Sequence, residues 1–216
     1  MKSEDNRKMH RNLLKVLLLV ITLSLSVCGQ MLQFGNCSAV ETMKFFDFEK
    51  FLGQWYEISR YPTWYEENGA CAYKRIQHCG RTVEIEHVYV REGIQFVLRV
   101  NSTYNPGHEP VFLMRNNNID PVGIPLTVIS TDYTNYAVVY GCRDNMPIGL
   151  KYSSAWILSR EPTLPEEIYQ AAILRLNEVP NANVAFLEAV DQTMEHCDFY
   201  WTAKVEAVNV IETDSK

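Results

Sequence analysis

The segment Phe51-Leu52-Gly53-Gln54-Trp55-Tyr56-Glu57-Ile58 carries the strongest fold signal in this chain of 216 residues. It is followed, at wide intervals, by Thr131-Asp132-Tyr133 and then by Ser159-Arg160. None of the three motifs is specific alone. Taken in this order, the motifs span most of the chain after its first thirty residues. We expect that part to form one domain.

Around these motifs, short runs in which apolar and polar residues alternate indicate strands with one buried face. In one run Ile94, Phe96, Leu98 and Val100 share a side, opposite the glycosylation sequon that begins at Asn101. Because a glycan cannot point into a core, this parity predicts that the apolar set faces inward. Eight such runs lie near residues 55–60, 72–78, 81–90, 94–100, 111–115, 126–131, 136–142 and 152–160.

One segment departs from the alternation. Thr163-Leu164-Pro165-Glu166 resembles a capping box, and the apolar residues from Ile168 to Leu176 recur at near-helical spacing. The sequence therefore predicts a single helix after the eighth strand. We interpret its apolar stripe as a packing surface without a functional role.

The three motifs resemble the conserved regions of the lipocalin family, and in particular apolipoprotein D, Lazarillo and the insect bilin-binding lipocalins. The resemblance implies an all-β fold, namely an eight-stranded antiparallel up-and-down β-barrel (the calyx) with one C-terminal α-helix packed outside. Gly53 and Trp55 then open the first strand, and Arg160 lies across the indole of Trp55 as a cation–π contact that closes the barrel floor. Such a barrel is wide enough to hold one small ligand.

The N-terminus has the pattern of a secretory signal peptide. A basic stretch precedes an apolar run from Leu13 to Val27, and small residues follow at Cys28-Gly29. We expect residues 1–29 to be removed and residues 30–216 to form a single lipocalin domain in the extracellular space. Subtracting five basic and two acidic residues leaves 15 basic and 24 acidic ones, a net charge of about −9. This charge disfavours nucleic acid and anionic membranes as partners.

Five cysteines follow the leader, so two disulfides and one free thiol are expected in a secreted protein. A strand from Cys71 to Cys79 spans about 26 Å, too far for these two to pair, and the other pairings stay open. The lipocalin resemblance implies Cys37–Cys142 and Cys71–Cys197, which leaves Cys79 unpaired.

Two Asn-x-Ser/Thr sequons begin at Asn36 and Asn101. In a secreted chain both are plausible glycan sites, provided that both are exposed.

The resemblance places the ligand site at the open end of the barrel. His87 and Tyr89 fall on interior positions of the third strand, Glu57 shares the parity of Trp55, and Trp156 shares that of Arg160. Phe96 and Leu98 complete the expected pocket wall, and Trp64 and Tyr65 follow the first strand at the mouth. Each of these side chains could instead be an ordinary core or loop residue. A mixed aromatic and sparsely polar set suits a planar, mainly apolar molecule.

The chain lacks the nucleophile-elbow, phosphate-loop and His-Glu-x-x-His signatures. We therefore expect no enzyme and no metal site. The primary hypothesis is a secreted carrier of a small hydrophobic ligand, whether a lipid, fatty acid, retinoid or bilin such as biliverdin. The alternative is an extracellular interaction protein that engages a protein, lipoprotein particle or cell-surface receptor through its surface, its mouth loops or the unpaired Cys79.

Overall fold

The computed structural model describes residues 31–63, 65–66, 68–79, 82–102, 104, 109–116, 120–145, 149–197 and 203–208. The predicted leader, residues 1–29, lies outside this part of the chain. The strands are β1 Met31–Phe34, β2 Gly53–Arg60, β3 Ala70–Cys79, β4 Thr82–Arg91, β5 Ile94–Ser102, β6 Val111–Asn116, β7 Asp120–Thr131, β8 Tyr136–Asn145, β9 Leu150–Ser159, β10 Glu188–Ala189 and β11 Ala203–Val208. The α-helices are α1 Phe48–Phe51, α2 Glu166–Asn177 and α3 Met194–Cys197, and Val184–Phe186 form a 3₁₀ turn.

The eight long strands form one curled antiparallel sheet in the order β5-β4-β3-β2-β9-β8-β7-β6. Neighbours in sequence are neighbours in the sheet, and the first strand of the set, β2, also pairs with the last, β9. The two ends of the sheet approach each other where Asn116 Nδ2 donates to the Arg99 carbonyl oxygen at 3.3 Å. The expected up-and-down barrel is thus confirmed.

Three further strands on the margins of this sheet were not predicted. β1 pairs with β9 and β10 with β2, both antiparallel, whereas β11 runs parallel along β5. Each of them pairs with one strand of the eight-stranded set and extends the sheet beyond it. No helix within the described ranges is long and apolar enough to cross a membrane.

Inward-facing apolar side chains fill the lower half of the barrel. The buried cluster comprises Phe48, Phe51, Trp55, Ile76, Val83, Ile85, Phe112, Ile124, Leu126, Val128, Ala137, Val139, Trp156 and Leu158. Helix α1 lies beneath it, capped by Asp47, whose side chain accepts from the Lys50 backbone N–H. The indole N–H of Trp55 donates to the Phe51 carbonyl oxygen at 2.8 Å, so this short helix closes the bottom of the barrel.

Helix α2 packs against the outside of the barrel, as expected. Its buried Ala172 and Leu176 join a second cluster with outward side chains of β8 and β9, among them Tyr140 and Ile157. The predicted capping box does not form. Pro165 is the N-cap residue, with no side-chain cap hydrogen bond. Its carbonyl oxygen accepts from two backbone N–H groups of the first turn instead.

Strand β7 begins six residues earlier than the sequence predicts. The run from Asn116 to Gly123 is rich in turn residues, and prolines at 121 and 125 lack the N–H that a strand donates. Residues 120–125 nevertheless pair with β6, while pairing with β8 starts at Leu126. Proline is tolerated here because this part of β7 has a strand on one side only.

The structure forms two disulfides, Cys37–Cys142 and Cys71–Cys197, which join residues 105 and 126 positions apart. The first ties the N-terminal arm to β8, and the second ties β3 to α3. Cys79 ends β3, and its side chain is outside what the structure describes.

The two sequon asparagines lie outside the barrel interior. Asn36 is exposed, next to the first disulfide, and Asn101 is half-buried opposite Glu84 on the outer face of the sheet. Glycan occupancy at both positions stays a prediction.

Candidate functional site

The barrel floor depends on the Arg160 guanidinium. Its Cζ lies 3.7 Å from the centroid of the Trp55 ring. The same group donates to three backbone carbonyl oxygens, those of Tyr133 at 2.9 Å, Gln54 at 2.9 Å and Lys50 at 2.7 Å. Arg160 therefore joins the turn before β8, the start of β2 and helix α1.

Gly53 leaves room for this arrangement. Its φ of +100° is a left-handed conformation that favours glycine, and a Cβ at this position would lie 3.3 Å from Arg160 Nη1. The floor contact that the resemblance implied is present, and its role is structural.

Above the apolar layer, the interior holds a group of buried charged side chains. We call Glu57, Arg60, Glu66, Lys74 and His87 the charged cluster. Each of the five is at most 6% exposed. Burial of this many charges in a protein interior is costly unless they compensate one another, so their partners decide what the site can do.

Glu57 is the centre of the charged cluster. Its Oε2 accepts from Arg60 Nη1 at 2.8 Å, and its Oε1 lies 2.7 Å from Lys74 Nζ and 3.0 Å from His87 Nε2. The contacts with Lys74 and His87 have ion-pair distances but lack the alignment of hydrogen bonds. Lys74 Nζ also lies 4.5 Å above the ring of Trp156.

Glu66 brings the mouth loop, residues 61–69, into the charged cluster. Its Oε2 lies 2.8 Å from His87 Nε2 and 3.3 Å from Arg60 Nη1. Arg60 Nη2 donates to the carbonyl oxygens of Glu66 at 2.6 Å and Gly69 at 3.0 Å. The hydroxyl of Tyr89 donates to the Tyr65 carbonyl oxygen in a short hydrogen bond. The loop is thus held across the barrel by charged and polar contacts.

Local backbone geometry explains how Arg60 comes to lie inside. Trp55 and Glu57 point inward at alternate positions of β2, which predicts that Arg60 points outward. The pairing with β9 shifts between Glu57 and Ser59, the signature of a β-bulge. Beyond the shift, Ser59 faces the outside and accepts from Tyr169 of helix α2, and Arg60 turns into the barrel.

The charged groups of the cluster shift one another's pKa values. Burial acts to raise the pKa of Glu57, but the cationic groups of Lys74 and His87 hold it well below the ordinary value of 4.5. Burial and the Glu57 carboxylate act to raise the pKa of Glu66, but the adjacent cations lower it. Burial and the nearby ammonium act to lower the pKa of His87, but the two facing carboxylates raise it above 6.5. Each group is thereby favoured in its charged form.

The structure brings most of the expected ligand residues to this upper interior. Tyr89 stacks on Phe96, with ring centroids 5.1 Å apart and planes 8° apart, and Leu98 lies opposite His87 in the sheet. The ring of Tyr65 meets His87 edge-on at 6.1 Å. Trp64 lies outside the described residues.

Three of the expected ligand residues carry buried hydrogen-bonding atoms without a hydrogen-bond partner among the described residues. They are Trp156 with its indole Nε1, His87 with both ring nitrogens, and Glu57 with Oε1. Such atoms are uncommon in protein interiors because an unpaired polar group loses its hydration without compensation.

Sequence reasoning missed Arg60, Glu66 and Lys74. Lys74 could have been found, because it shares the parity of Ala72 and Ile76 on a strand whose other face is polar. Glu66 lies in a loop, and a loop has no side-chain periodicity that predicts whether a residue points inward. His78 and His87 lie on adjacent strands but are not opposite each other. The register places His87 opposite Lys74, and the exposed His78 contacts Glu49 at the floor end instead.

Glu57, Glu66 and His87 could in principle hold a metal ion, since one ligand atom of each lies within 4.8 Å of the others. The charge balance disfavours it. Arg60 and Lys74 already compensate the two carboxylates at distances of 2.7–3.3 Å. A divalent cation would add two uncompensated charges to a buried site. We therefore interpret the charged cluster as an internally paired polar wall.

A separate open groove of about 520 Å³ lies outside the barrel, between the N-terminal arm, β7 and the end of α2. Its charged lining residues carry both signs, with Glu41 and Lys44 on the arm and Arg175 and Glu178 at the helix. Among the described residues, no expected ligand residue lines this groove. The interior, with its unpaired buried groups, is the better candidate site.

Comparisons with known proteins agree with this fold. The sequence profile of the "Lipocalin / cytosolic fatty-acid binding protein family" matches residues 52–191. Apolipoprotein D of Cavia porcellus is 31% identical over 156 residues, which cover 70% of this chain and 81% of the relative. The bilin-binding protein of Pieris brassicae is 23% identical over 154 residues, 69% of this chain and 80% of the relative.

A solved structure shows the same architecture. Insecticyanin from the tobacco hornworm Manduca sexta superposes with a TM-score of 0.69 at 21% sequence identity. The match covers 83% of this chain and 97% of insecticyanin. At this identity the likeness concerns the fold.

Proposed function

The chain belongs to the lipocalin / cytosolic fatty-acid binding protein family, and from that premise we propose that it carries a small hydrophobic ligand inside its barrel. The observation that carries the proposal is the composition of the upper interior. Buried donors and acceptors without hydrogen-bond partners lie there beside aromatic and aliphatic side chains, above a floor closed by Arg160 and Trp55. A few placed polar groups among apolar side chains are typical of a small-molecule site.

The residues proposed to contact the ligand share this upper interior or the mouth. They are Glu57, Tyr65, His87, Tyr89, Phe96, Leu98 and Trp156, together with Trp64. A ligand that buries roughly 300 Å² of apolar surface gains about 7 kcal/mol at 25 cal/mol per Å². Before the cost of association is subtracted, this corresponds to roughly micromolar affinity.

The candidate ligands are lipids, fatty acids, retinoids and bilins. One relative is named for binding a bilin, which adds weight to that class. We propose a non-enzymatic carrier, since family membership and the paired charges point to binding. We also propose an extracellular location, because disulfides persist mainly in oxidising compartments and the described residues form two.

The direct test is to purify the protein from its native source, extract it with organic solvent and identify any bound molecule by mass spectrometry. A titration with hexadecanoic acid, retinol and biliverdin, followed by tryptophan fluorescence, then measures affinity. We expect saturable quenching by at least one probe, with a smaller amplitude in Trp156→Phe. Quenching that fails to saturate for all three probes would refute the carrier function.

A further inference from the structure

We propose that β11 is a detachable strand of the barrel wall, and that the ligand enters and leaves between β5 and β6 when β11 moves away from β5. The inference rests on the proposed function and adds to it the route of ligand exchange and the contacts that hold this route closed. The route leads through the side of the barrel and bypasses the mouth loop.

The first support is the position of β11. A strand has two edges, and β4 occupies one edge of β5. β11 pairs in parallel with residues 94–99 at the other edge, which faces β6 in the curled sheet. Within the described ranges β6 pairs with β7 alone, and β6 meets β5 at the hydrogen bond from Asn116 to the Arg99 carbonyl oxygen. The wall therefore has a seam here, and β11 covers its mouth-side part.

The second support is the inner face of β11. Directly opposite residues of a strand pair share a face of the sheet, so Val205, which is opposite Phe96, lies on the inner side. Val205 is nevertheless 48% exposed, and Phe96 is half-buried, unlike the core below. From Ala203 to Ala207 the sequence alternates apolar and charged residues, as a barrel strand does. β11 is thus patterned as a wall strand but is loosely packed.

The third support is that few contacts hold β11 in place. On the outer face, Glu206 Oε2 lies 3.5 Å from Arg99 Nη1, and the two side chains are 35% and 33% exposed. Arg99 is shared, because its Nε and Nη2 also donate to Glu86 at 3.2 Å and 3.1 Å. Water screens an exposed ion pair of this kind and weakens it. Moving β11 away breaks this pair and one ladder of six residues.

The fourth support is that the mouth loop is held more firmly than β11. Arg60 donates to the carbonyl oxygens of Glu66 and Gly69 at 2.6 Å and 3.0 Å, and the Glu66 carboxylate lies 2.8 Å from His87. These charged side chains are at most 6% exposed. The loop is also tightly packed, since a Cβ at Gly69 would lie 2.9 Å from the Glu66 carbonyl oxygen. Opening it would leave buried charges without partners, which costs far more than separating a screened surface pair.

The disulfide Cys71–Cys197 keeps a detached β11 close to its place in the wall. Cys197 precedes Ala203, the first residue of β11, by six positions, and its partner Cys71 lies in β3 just after the mouth loop. A strand tethered so closely returns to β5 readily because its effective concentration stays high. Detachment of β11 is therefore local and reversible, and the rest of the barrel stays folded.

A covalent lock between β5 and β11 tests the route. Val97 and Glu206 lie directly opposite each other. Neighbouring strands are about 4.8 Å apart, so the double variant Val97→Cys, Glu206→Cys can form a disulfide, which peptide mapping verifies. Stopped-flow fluorescence then follows binding and release of N-phenyl-1-naphthylamine by the full protein. The lock should slow association and dissociation alike by roughly tenfold or more and leave Kd within about twofold, because it closes the route without changing the site. Val97→Cys alone is the control and should keep the wild-type rates.

A charge reversal tests the opposite direction. Glu206→Lys should speed association and dissociation by roughly two- to fivefold, because the new ammonium repels Arg99. Glu195→Lys, at an exposed position of α3, makes the same charge change and should keep the wild-type rates.

The outcomes separate the route from the carrier function. Wild-type rates in the locked protein would overturn the route and leave the carrier function standing. Wild-type rates in Glu206→Lys would refute the role of its pair with Arg99. Failure of the wild-type protein to bind this probe, hexadecanoic acid, retinol or biliverdin would instead refute the carrier function on which the inference rests.

Discussion

Replacing Arg160 by methionine should weaken the whole barrel, because this one side chain joins three separate segments at the floor. Its guanidinium donates at 2.7–2.9 Å to the carbonyl oxygens of Lys50, Gln54 and Tyr133 and covers the Trp55 ring at 3.7 Å. Methionine keeps most of the aliphatic stem and loses every one of these polar contacts.

The expected loss can be worked from those contacts. Hydrogen bonds from a charged donor contribute about 1.5–3 kcal/mol each when buried. Arg160 is half-buried, so solvent screens part of this, and we take about 1 kcal/mol for each of the three. The cation–π contact adds about 0.5–1 kcal/mol. The free energy of unfolding should therefore fall by about 3–4 kcal/mol, and Tm by roughly 6–16 °C for a protein of this size.

Urea unfolding of the oxidised protein, followed by tryptophan fluorescence and circular dichroism, measures the effect. Arg160→Lys should lose about half as much, because an ammonium keeps a cation near the ring and reaches fewer carbonyl oxygens. Arg175→Met is the control, since the exposed Arg175 makes one surface ion pair with Glu178 at 3.1 Å. A stability of Arg160→Met within about 1 kcal/mol of wild type, or equal to that of the control, would refute this account of the floor.

Glu57→Gln should destabilise the protein by about 3–5 kcal/mol in urea, because it leaves buried cations facing a neutral amide. Glu84→Gln, on the outer face of β4, is the matched control, and an equal loss in both variants would contradict a buried charge network. Stability should be greatest between about pH 4.5 and 6.5. The raised pKa of His87 makes its contribution complete below 6.5 and lost at higher pH, whereas the lowered pKa of Glu57 makes its contribution complete above 4.5 and lost at lower pH. A thermal-melting series should show this maximum, and His87→Gln should flatten its alkaline side; an unchanged profile in that variant would exclude His87 as the cause. Replacing Cys71 and Cys197 together by serine should cost about 2–4 kcal/mol, since their bridge closes a loop of 126 residues. Unfolding at the wild-type urea midpoint would show that this loop is already constrained without the bridge.

Most strands of the barrel could be predicted because side chains along a strand point alternately to its two faces. The alternation around Phe96 and Leu98 predicted which face of β5 points inward, and in the structure that face points into the barrel. The prediction failed where the local signal pointed elsewhere. Residues 120–125 contain turn formers and prolines, and they form a strand only because β6 supplies their single neighbour. The helix cap was likewise misplaced, because Pro165 itself caps α2.

The candidate site was predictable only in part. Parity placed Glu57, His87 and Trp156 on the inner face, but it gave no information about which of them meet. Arg60 was hidden by the bulge after Glu57, which reverses the parity of the strand from that point. Glu66 was hidden because it reaches the interior from a loop.

The sequence by itself determined a series of short strands with one buried face, because alternation is a local signal. The barrel and its closed floor were implied by the resemblance of three spaced motifs to the lipocalin family. Only the tertiary structure decided that two carboxylates, an arginine, a lysine and a histidine share one buried cluster. The physical reason is that the ion pairs of this cluster depend on distances of 2.7–3.3 Å between residues up to thirty positions apart. Such distances are set by sheet register, by one bulge and by the path of one loop, and none of these can be read from the order of the residues.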